Sequence, residues 1–372
     1  MICYKVNDKT FNNVYLALHH AWTNSGQVQL YCKDHEYDQF DWTQEPESSL
    51  DDLMAAHAHG LRDSHDRLIL LWSGGTDSHT IYNVFKRENI HIDEIMIKAS
   101  LHSAGFPEKN HEWIAQNHWD PTTIITRYDD HDSELRALDI PDEHWIWRDK
   151  GDLLKYGMTS SGDGVRFLCD KNHARTRYCA VAGYEKPRLI YRQGRWFARQ
   201  LDMTLRPTMG HDYIHHFFLD PLINIKQNHL VKHAVKKIIN DRKLPLWDGD
   251  WAESKWDRDV VGYRDWATAC GRHDELYIGV SNTQKHYNDA LDRTEISTVG
   301  DWRQLNRTAD QRLAHDLSQG NQVALNYVKG MHSLYSESGL VHWLREKQYF
   351  RHSDQCVTSL KFIWSKEYDL GT

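Results

Sequence analysis

The length, composition and charge of the chain exclude several classes of protein. Its 372 residues are enough to bury a large core, in one large domain or two modest ones. The net charge of −8 argues against general nucleic-acid binding, although it leaves room for a local basic groove. The six cysteines include no CxxC pair, which argues against a zinc knuckle or a disulfide framework. No apolar run is long enough to span a membrane and the N-terminus is not a signal peptide, so we expect a soluble, cytoplasmic protein.

Residues 1–66 are predicted to form an N-terminal lead-in. The pattern indicates a helix from Thr10 to Thr23 and a strand from Gln27 to Cys32. A second helix is predicted from Ser49 to about Asp63, because Ser49 suits the N-cap position and Asp52 stands where a capping box places its acidic residue. This second helix leads directly into the next predicted strand.

The stretch that follows the lead-in organises the rest of the chain. Leu68 to Trp72 is a short, unbroken apolar run, typical of a strand buried on both faces. Ser73-Gly74-Gly75-Thr76-Asp77-Ser78 follows at once, and His79 to Arg87 is predicted to be helical. A strand, a glycine-rich turn and a helix N-terminus form an anion site, because free backbone N–H groups and the helix dipole point at the ligand. Asp77 would repel a phosphate unless a cation lies between them, which suggests Mg²⁺.

The six residues from Ser73 to Ser78 resemble the PP-loop signature, SGGxDS, of the ATP pyrophosphatases. This superfamily includes the asparagine, GMP, NAD and argininosuccinate synthetases and several tRNA-modifying enzymes. The resemblance implies that ATP is cleaved between its α and β phosphates while the substrate is adenylated. It also implies that Mg²⁺ and Asp77 act in catalysis, and that the loop residues bind ATP: Ser73, Gly74, Gly75, Thr76, Asp77 and Ser78. The alternative is a tight turn that joins a buried strand to a helix.

The start of the chain departs from one branch of that superfamily. Amidotransferase forms of asparagine synthetase carry a catalytic cysteine directly after the initiator Met, whereas here Ile2 follows Met1 and Cys3 precedes Tyr4. The residues before the loop are also too few for a glutaminase domain. The resemblance therefore implies an amine from free ammonia, from the substrate or from a partner. Phage-encoded synthetase-like enzymes without a glutaminase domain look similar.

The segments after the loop predict an α/β fold with a doubly wound parallel sheet. Strands are expected at Glu94–Ile97 and Thr122–Thr126, with a helix at Glu108–His118 between them. The resemblance implies a Rossmann-like domain of the adenine nucleotide alpha hydrolase type, in which the end of the second strand meets the adenine. Ile97 and Lys98 are candidates for that contact, and the alternative is that both are ordinary strand residues.

Residues 130–165 are polar and interrupted, which predicts an insertion or a domain edge. Within them, Ser161-Gly162-Asp163-Gly164 resembles the first part of the SG[DE]GxDE element of asparagine synthetases. The resemblance makes Asp163 a candidate metal ligand. Val165-Arg166-Phe167 follows, so the second acidic pair of that element is absent and a plain turn is the alternative.

Basic and aromatic residues alternate from Lys171 to Arg206. Leu189–Arg192 and Arg195–Arg199 are predicted to form a hairpin around Gln193-Gly194. Basic residues among aromatic ones bind phosphates and stack on bases, whereas the alternative is an exposed hairpin whose charges protect its edge. Lys186 and Arg188 are the candidate substrate or phosphate contacts, and Lys186 is also a candidate catalytic residue.

The C-terminal half is predicted to be mostly helical. A long helix is expected from Asn224 to Asn240, with Lys226 near its start as a candidate substrate contact. Lys285 precedes another helical run and is a candidate catalytic, phosphate-binding lysine. The predicted domains are therefore a lead-in (1–66), an α/β nucleotide-binding domain with the basic hairpin (67–205) and a mostly helical region (206–372).

The sequence as a whole predicts an ATP-dependent, AMP-forming C–N ligase that acts on a small molecule. A carboxylate or carbonyl substrate would be adenylated and then transferred to a nitrogen nucleophile. Two other classes stay open. A tRNA or nucleotide modifier would use the basic stretch, and thiolation would need Cys169 or Cys179; a nucleotide sensor would bind ATP without turnover. The acidic net charge favours the small-molecule substrate over nucleic acid.

Overall fold

The fold is taken from a computed structural model of the chain. It describes residues 2–12, 14–72, 76–99, 114–129, 177–183, 189–202, 214–243, 249–250, 342–344, 346–349 and 363–372. The strands are β1 (Ile2–Val6), β2 (Lys9–Phe11), β3 (Gln29–Cys32), β4 (Arg67–Trp72), β5 (Glu94–Ala99), β6 (Ile124–Asp129), β7 (Tyr178–Ala182), β8 (Leu189–Arg192), β9 (Arg195–Ala198), β10 (Ile214–His216), β11 (Gly249–Asp250) and β12 (Tyr368–Gly371). The α-helices are α1 (Val14–Thr23), α2 (Asp34–Tyr37), α3 (Leu50–Ser64), α4 (Thr76–Arg87) and α5 (Pro221–Arg242).

The N-terminal segment forms its own antiparallel sheet, in the order β2-β1-β3. The predicted strand that ends at Cys32 is confirmed as β3. The predicted start of the first helix at Thr10 is wrong, because Thr10 and Phe11 pair with β1 and the helix begins at Val14. Asn7 allows the tight turn between β1 and β2, since it holds a φ of 53°, a left-handed conformation that asparagine tolerates.

The second predicted helix is confirmed as α3, together with its cap. The hydroxyl of Ser49 accepts a hydrogen bond from the backbone N–H of Asp52 at 3.1 Å, and donates to the Asp52 carboxylate at 2.6 Å. The cap satisfies an N–H group that has no partner within the helix. Met54, Ala58 and Leu61 are buried on the side of α3 that faces the parallel sheet.

The main sheet is parallel throughout and has five strands, in the order β6-β5-β4-β7-β10. The strand predicted at 94–97 is confirmed as β5, which continues to Ala99. The strand predicted at 122–126 is present as β6, but it is shifted to 124–129 because residues 122 and 123 form a turn and a bend. The predicted α/β class is confirmed at this level. The chain moves outward from β4 to β6 on one side, then returns to place β7 and β10 on the other side. The strand order thus reverses between β4 and β7, as in open α/β sheets with a topological switch point.

The central strand β4 is buried on both faces, as its apolar run predicts. Leu70 and Trp72 belong to a core cluster shared with residues of α3 and α4, such as Phe85. Ile69 and Leu71 point to the opposite face, where they pack with residues of β5, β7 and β10. Burial of both faces explains why the strand carries no alternating polar residue.

The predicted hairpin is confirmed as β8 and β9. Gln193 and Gly194 connect them with φ values of 51° and 80°, the pair of positive angles that a type I′ turn requires. The alternative interpretation, a hairpin with an exposed strand edge, does not hold. Its two strands are the inner members of a four-stranded antiparallel sheet in the order β11-β8-β9-β12.

The predicted long helix is confirmed as α5, although it starts three residues earlier, at Pro221. The side chain of Asp220 caps it by accepting hydrogen bonds from the N–H groups of Leu222 and Ile223. Pro221 suits the first helical position, because its missing N–H would have no partner there. The apolar side of α5 packs against the antiparallel sheet.

Two structural facts bear on the predicted domains. The parallel sheet takes its fifth strand, β10, from beyond residue 205, and α3 from the lead-in packs on the same sheet. Of the helix predicted at 108–118, residues 114–117 are described and are helical. The predicted insertion at 130–165 and most of the predicted helical region after residue 250 lie outside the described residues. Within the described part, no helix combines the length and the apolar character needed to cross a membrane.

Candidate functional site

The candidate site lies at the carboxyl edge of the parallel sheet, where β4 and β7 end side by side. The last residue of β4 is Trp72, which stands in register with Ile97 of β5. On the other side of β4, strand β7 ends at Ala182. The strand order reverses between β4 and β7, and open α/β sheets bind their ligands outside the carboxyl ends of the strands at such a point.

The N-terminus of α4 stands at this edge. The helix begins at Thr76, so the first turn contains Asp77 and Ser78, while residues 73–75 lie outside the described part of the chain. The side chain of Ser78 is buried and that of Asp77 is half-buried. The first-turn N–H groups of a helix lack intrahelical acceptors, and together with the helix dipole they favour an anion. The arrangement predicted for the loop, a buried strand followed by a helix N-terminus, is therefore present on both sides of residues 73–75.

Gly183, directly after β7, is pressed against the first turn of α4. A Cβ atom on this residue would lie 3.1 Å from the carbonyl carbon and 3.2 Å from the carbonyl oxygen of Asp77. It would also lie 2.9 Å from Cδ1 of Ile81. The side chain of Ile81 has some freedom to move, but the backbone of a helical turn has little, so the close contact favours glycine. Gly183 thus sets how closely β7 approaches the start of α4.

Sequence reasoning missed this role of Gly183. The structure places the residue at the switch point, beside the first turn of α4. One feature of the sequence does indicate this role. Gly183 directly follows the small and apolar run Cys179–Ala182, much as Gly74 comes soon after the apolar run of β4. Glycine directly after a buried parallel strand often marks a close approach of two backbones.

An aromatic group lies beneath the first turn of α4. The ring of His79 is buried between Trp72, at a centroid distance of 5.3 Å, and Tyr82, at 5.9 Å. Burial, with a smaller effect from the charge of Lys86, lowers the pKa of His79 to about 4. His79 is therefore neutral at pH 7 and supports the turn by packing rather than by supplying a positive charge to a phosphate.

The two residues proposed to meet the adenine lie in β5. Ile97 is fully buried and its side chain belongs to the core, so a ligand at this edge could reach its backbone but not its side chain. Lys98 follows in the same strand, and its side chain lies outside the described residues. The register places Ile97 beside Trp72 at the end of β4, and Lys98 beside Tyr128 of β6.

The remaining predicted site residues are not brought to this edge by the described structure. Lys226 lies in α5, where its ammonium group contacts the Glu45 carboxylate at 2.7 Å and donates to the carbonyl oxygen of Pro46 at 2.9 Å. It therefore holds the loop before α3 against α5. The other candidates lie outside the described residues: Ser73, Gly74, Gly75, Asp163, Lys186, Arg188 and Lys285.

The arginines of the basic stretch have partners in the described part of the chain. Arg192 forms an ion pair with Glu367, which directly precedes β12. Arg195 forms an ion pair with Asp369, which lies in β12. Arg199 lies over the ring of Trp364, at 3.3 Å from its centroid. Arg177, at the start of β7, pairs with Asp66 at 3.1 Å. These contacts account for four of the charges that suggested a phosphate-binding surface.

Cys179, one of two cysteines considered for thiolation, lies in the interior of β7. It is 1% exposed, and burial raises the pKa of its thiol to about 12. A nucleophilic cysteine needs an accessible thiolate, so this environment does not suit the role. Cys169 lies outside the described residues.

A histidine pair that sequence reasoning missed lies on the same side of the sheet as α3. Nε2 of His57 is 2.9 Å from Nε2 of His215 in β10, and Nδ1 of His57 is 3.3 Å from the Asp220 carboxylate. The carboxylate accepts from Nδ1–H, so Nε2 of His57 is free to accept from His215. Burial, and then the neighbouring His57, lower the pKa of His215 to about 2. The chain of contacts joins α3, β10 and the cap of α5.

A comparison of the chain with protein-family models and with curated proteins finds no match.

Proposed function

We propose that the protein is an ATP-dependent, AMP-forming enzyme of the PP-loop type. The observation that carries the proposal is the position of the Ser73–Ser78 sequence. It connects the central strand to the first turn of α4 at the point where the strand order reverses. Strand β7 ends beside the same turn, where a Cβ atom on Gly183 would lie 3.1 Å from the carbonyl carbon of Asp77.

In this proposal the sheet belongs to a doubly wound, Rossmann-like domain of the adenine nucleotide alpha hydrolase type. ATP is a substrate, and its β and γ phosphates bind at residues 73–78, where N–H groups and the hydroxyl of Ser78 donate hydrogen bonds. A substrate carboxylate or carbonyl oxygen attacks the α phosphate and releases pyrophosphate. A nitrogen nucleophile then displaces AMP. The protein contributes mainly positioning and neutralisation of charge.

The residues present suit a magnesium ion at this position. Asp77 offers a hard carboxylate ligand in the first turn of α4, and its side chain is half-buried. Mg²⁺ commonly binds one or two protein carboxylates together with substrate phosphates and several waters. One carboxylate from the protein can therefore be enough to hold the ion. The ion would neutralise phosphate charge, and Asp77 would hold it against the pyrophosphate.

Two observations support a small-molecule substrate over a nucleic acid. The net charge of the chain is −8, and the four described arginines of the basic stretch already contact acidic or aromatic partners. Nucleic-acid binding relies on basic side chains that are available to phosphates. An asparagine-synthetase-like ligase reaction that takes ammonia or an amine substrate is therefore the form of the proposal that we favour.

The test is to identify the products of ATP in the presence of Mg²⁺. A panel of carboxylic acids, with and without ammonium, is incubated with ATP labelled at the α or the γ phosphate. We expect AMP and pyrophosphate with at least one acid, together with exchange of labelled pyrophosphate into ATP. ADP and phosphate as the products would refute the PP-loop assignment. Tight ATP binding without turnover over the whole panel would instead support the nucleotide sensor.

A further inference from the structure

A second cluster of potential ligands lies on α5, among residues that the proposed ATP site does not use. His229 and His233 are four positions apart, so they occupy the same side of the helix. Glu45, in the loop before α3, meets them there. One potential ligand atom from each of these three residues lies within 4.8 Å of the others.

The hydrogen bonds around His229 fix its tautomer. Its Nε2 lies 2.9 Å from the carbonyl oxygen of Trp42, which can only accept, so Nε2 carries the proton. In this tautomer the ring keeps a lone pair on Nδ1. Metal-binding histidines usually donate their second N–H to a carbonyl or carboxylate in this way.

Trp42 is itself held firmly, so the carbonyl that orients His229 is well placed. Its indole ring stacks on Tyr368 of β12, at a centroid distance of 4.3 Å, and its Nε1–H donates to the carbonyl of Tyr37 at 3.0 Å. Trp42 and Tyr37 are both buried. The loop before α3 therefore reaches α5 with little freedom, which is a requirement for preorganised ligands.

Glu45 presents one carboxylate oxygen to each of two partners. Its Oε2 lies 2.8 Å from Nε2 of His233, and its Oε1 lies 2.7 Å from the ammonium group of Lys226. Lys226 thus neutralises one side of the carboxylate, while the other side shares a proton with an imidazole. A metal ion that replaces this proton would keep Glu45 and His233 as partners. The side chain of His233 is 56% exposed, which leaves a path from solvent.

We propose that Glu45, His229 and His233 form a zinc site, with a water molecule as the fourth ligand. Two imidazoles and one carboxylate form a donor set that Zn²⁺ binds in proteins, whereas Mg²⁺ prefers an all-oxygen environment. The ion would bridge the loop before α3 and α5 by coordinating side chains from both elements. The site does not depend on the proposed ATP chemistry.

The experiment measures metal binding by the full chain after removal of bound metal with a chelator. Zn²⁺ affinity is obtained by competition with a chromophoric chelator, and Co²⁺ is added separately to record its visible spectrum. The wild type should bind one equivalent most tightly and should give the intense absorption of tetrahedral Co²⁺. The Zn²⁺ affinity of this equivalent should fall by about 100-fold or more in His233→Ala, because even mutation of residues that only orient the ligands costs about 10–100-fold in affinity.

The matched control is His59→Ala. His59 is an exposed helical histidine that lies 3.7 Å from one carboxylate, Glu88, and is not part of the three-residue cluster. This variant should bind the tight equivalent of Zn²⁺ with wild-type affinity, which would show that removal of a histidine outside the cluster has no effect. A second variant, Lys226→Gln, should bind Zn²⁺ more tightly, because it removes a cation that competes for Glu45.

Two results would overturn the proposal. One is equal Zn²⁺ affinity for the wild type, His59→Ala and His233→Ala, which would mean that the cluster is a hydrogen-bond network and that binding is nonspecific. The other is a Co²⁺ spectrum of the weak octahedral type in the wild type that is unchanged in His233→Ala. Because His233 is largely exposed, its replacement by alanine should not unfold the protein, and circular dichroism would verify this.

Discussion

The carboxyl edge of the parallel sheet and the antiparallel sheet with α5 use polar residues in opposite ways. At the parallel edge, Asp77 and Ser78 stand in the first turn of a helix, where the backbone itself favours an anion. In the antiparallel region, charged side chains pair with residues far along the chain, such as Arg192 with Glu367, 175 positions away. The comparison teaches that dense charge in a sequence can serve ion pairs within the fold, so that it does not by itself indicate a ligand site.

The largest expected difference between the two regions is their response to acid. His79, His215 and His216 lie in or next to the parallel sheet, and burial is the main cause that lowers their pKa values, to about 4, 2 and 3. Their ordinary pKa is 6.5. The unfolded chain therefore binds more protons than the folded one once the pH falls below about 6.5, so stability is full above this pH and is lost below it.

At pH 5.5 each of these histidines should cost about 1.4 kcal/mol of stability relative to pH 7.5, or about 4 kcal/mol for the three. Urea unfolding followed by tryptophan fluorescence at the two pH values measures this change in the free energy of unfolding. The variant His79→Gln should show a pH dependence that is smaller by about 1.4 kcal/mol. Equal stability of the wild type at both pH values would contradict the neutral, buried state of these rings.

The next largest effect concerns Asp77. If its carboxylate holds Mg²⁺ against the pyrophosphate, Asp77→Asn should keep the fold and lower the rate of AMP formation by about 100-fold or more. The measurement is the rate of pyrophosphate release over a range of Mg²⁺ concentrations. Wild-type turnover with an unchanged metal requirement would show that Asp77 has no such role.

The smallest effects compare one arginine from each region. Arg62 donates to the Asp93 carboxylate at 2.6 Å and to the carbonyl oxygen of His65 at 2.7 Å, at the base of the parallel sheet. Arg62→Ala should lower the free energy of unfolding by about 1.5–3 kcal/mol, because it removes charge-assisted hydrogen bonds from a partly buried site. Arg192, half exposed, pairs with Glu367, so Arg192→Ala should cost about 0.2–1 kcal/mol.

Both variants should leave ATP binding unchanged, since neither arginine belongs to the candidate site. Thermal or urea unfolding at low and high salt provides the measurement, and the Arg192 effect should shrink as salt screens the exposed pair. A larger cost for Arg192→Ala than for Arg62→Ala would reverse the contrast drawn between the two regions. Loss of an ATP-dependent activity in Arg192→Ala would restore the basic stretch as a ligand surface.

The elements that could be predicted from the sequence depend on local interactions. The apolar run of β4, the Ser49 cap of α3 and the Gln193-Gly194 turn are each decided by neighbouring residues, and all three are confirmed. The start of α1 was misplaced because Thr10 and Phe11 pair with β1, and strand pairing is not visible in a helical pattern. The same limit hid β12, which adds to the antiparallel sheet from the end of the chain.

The candidate site shows the same division. Its loop could be recognised because six consecutive residues carry the pattern, whereas Gly183 contacts Asp77 from more than 100 residues away. Lys226 looked available for a substrate at the start of its helix, but Glu45 lies 181 positions earlier in the chain and could not be paired with it from sequence. Side-chain roles that depend on such distant partners need the fold.

The central claim, that ATP binds where β4, α4 and β7 meet, is tested most directly by adding one methyl group at two glycines. Gly183→Ala places a Cβ against the backbone of Asp77, whereas Gly60→Ala, in α3, meets nothing within 4 Å. Overpacking at Gly183 should cost about 1–3 kcal/mol of stability. It should also displace the first turn of α4, and we expect this to raise the Kd for Mg·ATP by about tenfold or more. Gly60→Ala should leave this Kd unchanged and raise stability by about 0.5–1 kcal/mol.

Calorimetric titration of Mg·ATP into the wild type and the two variants gives all three dissociation constants, with circular dichroism as the check that each protein is folded. The account predicts that Gly183→Ala binds Mg·ATP about tenfold or more weakly than the wild type, and that Gly60→Ala binds it equally well. Equal affinity for all three folded proteins would contradict the placement of ATP at this edge of the sheet.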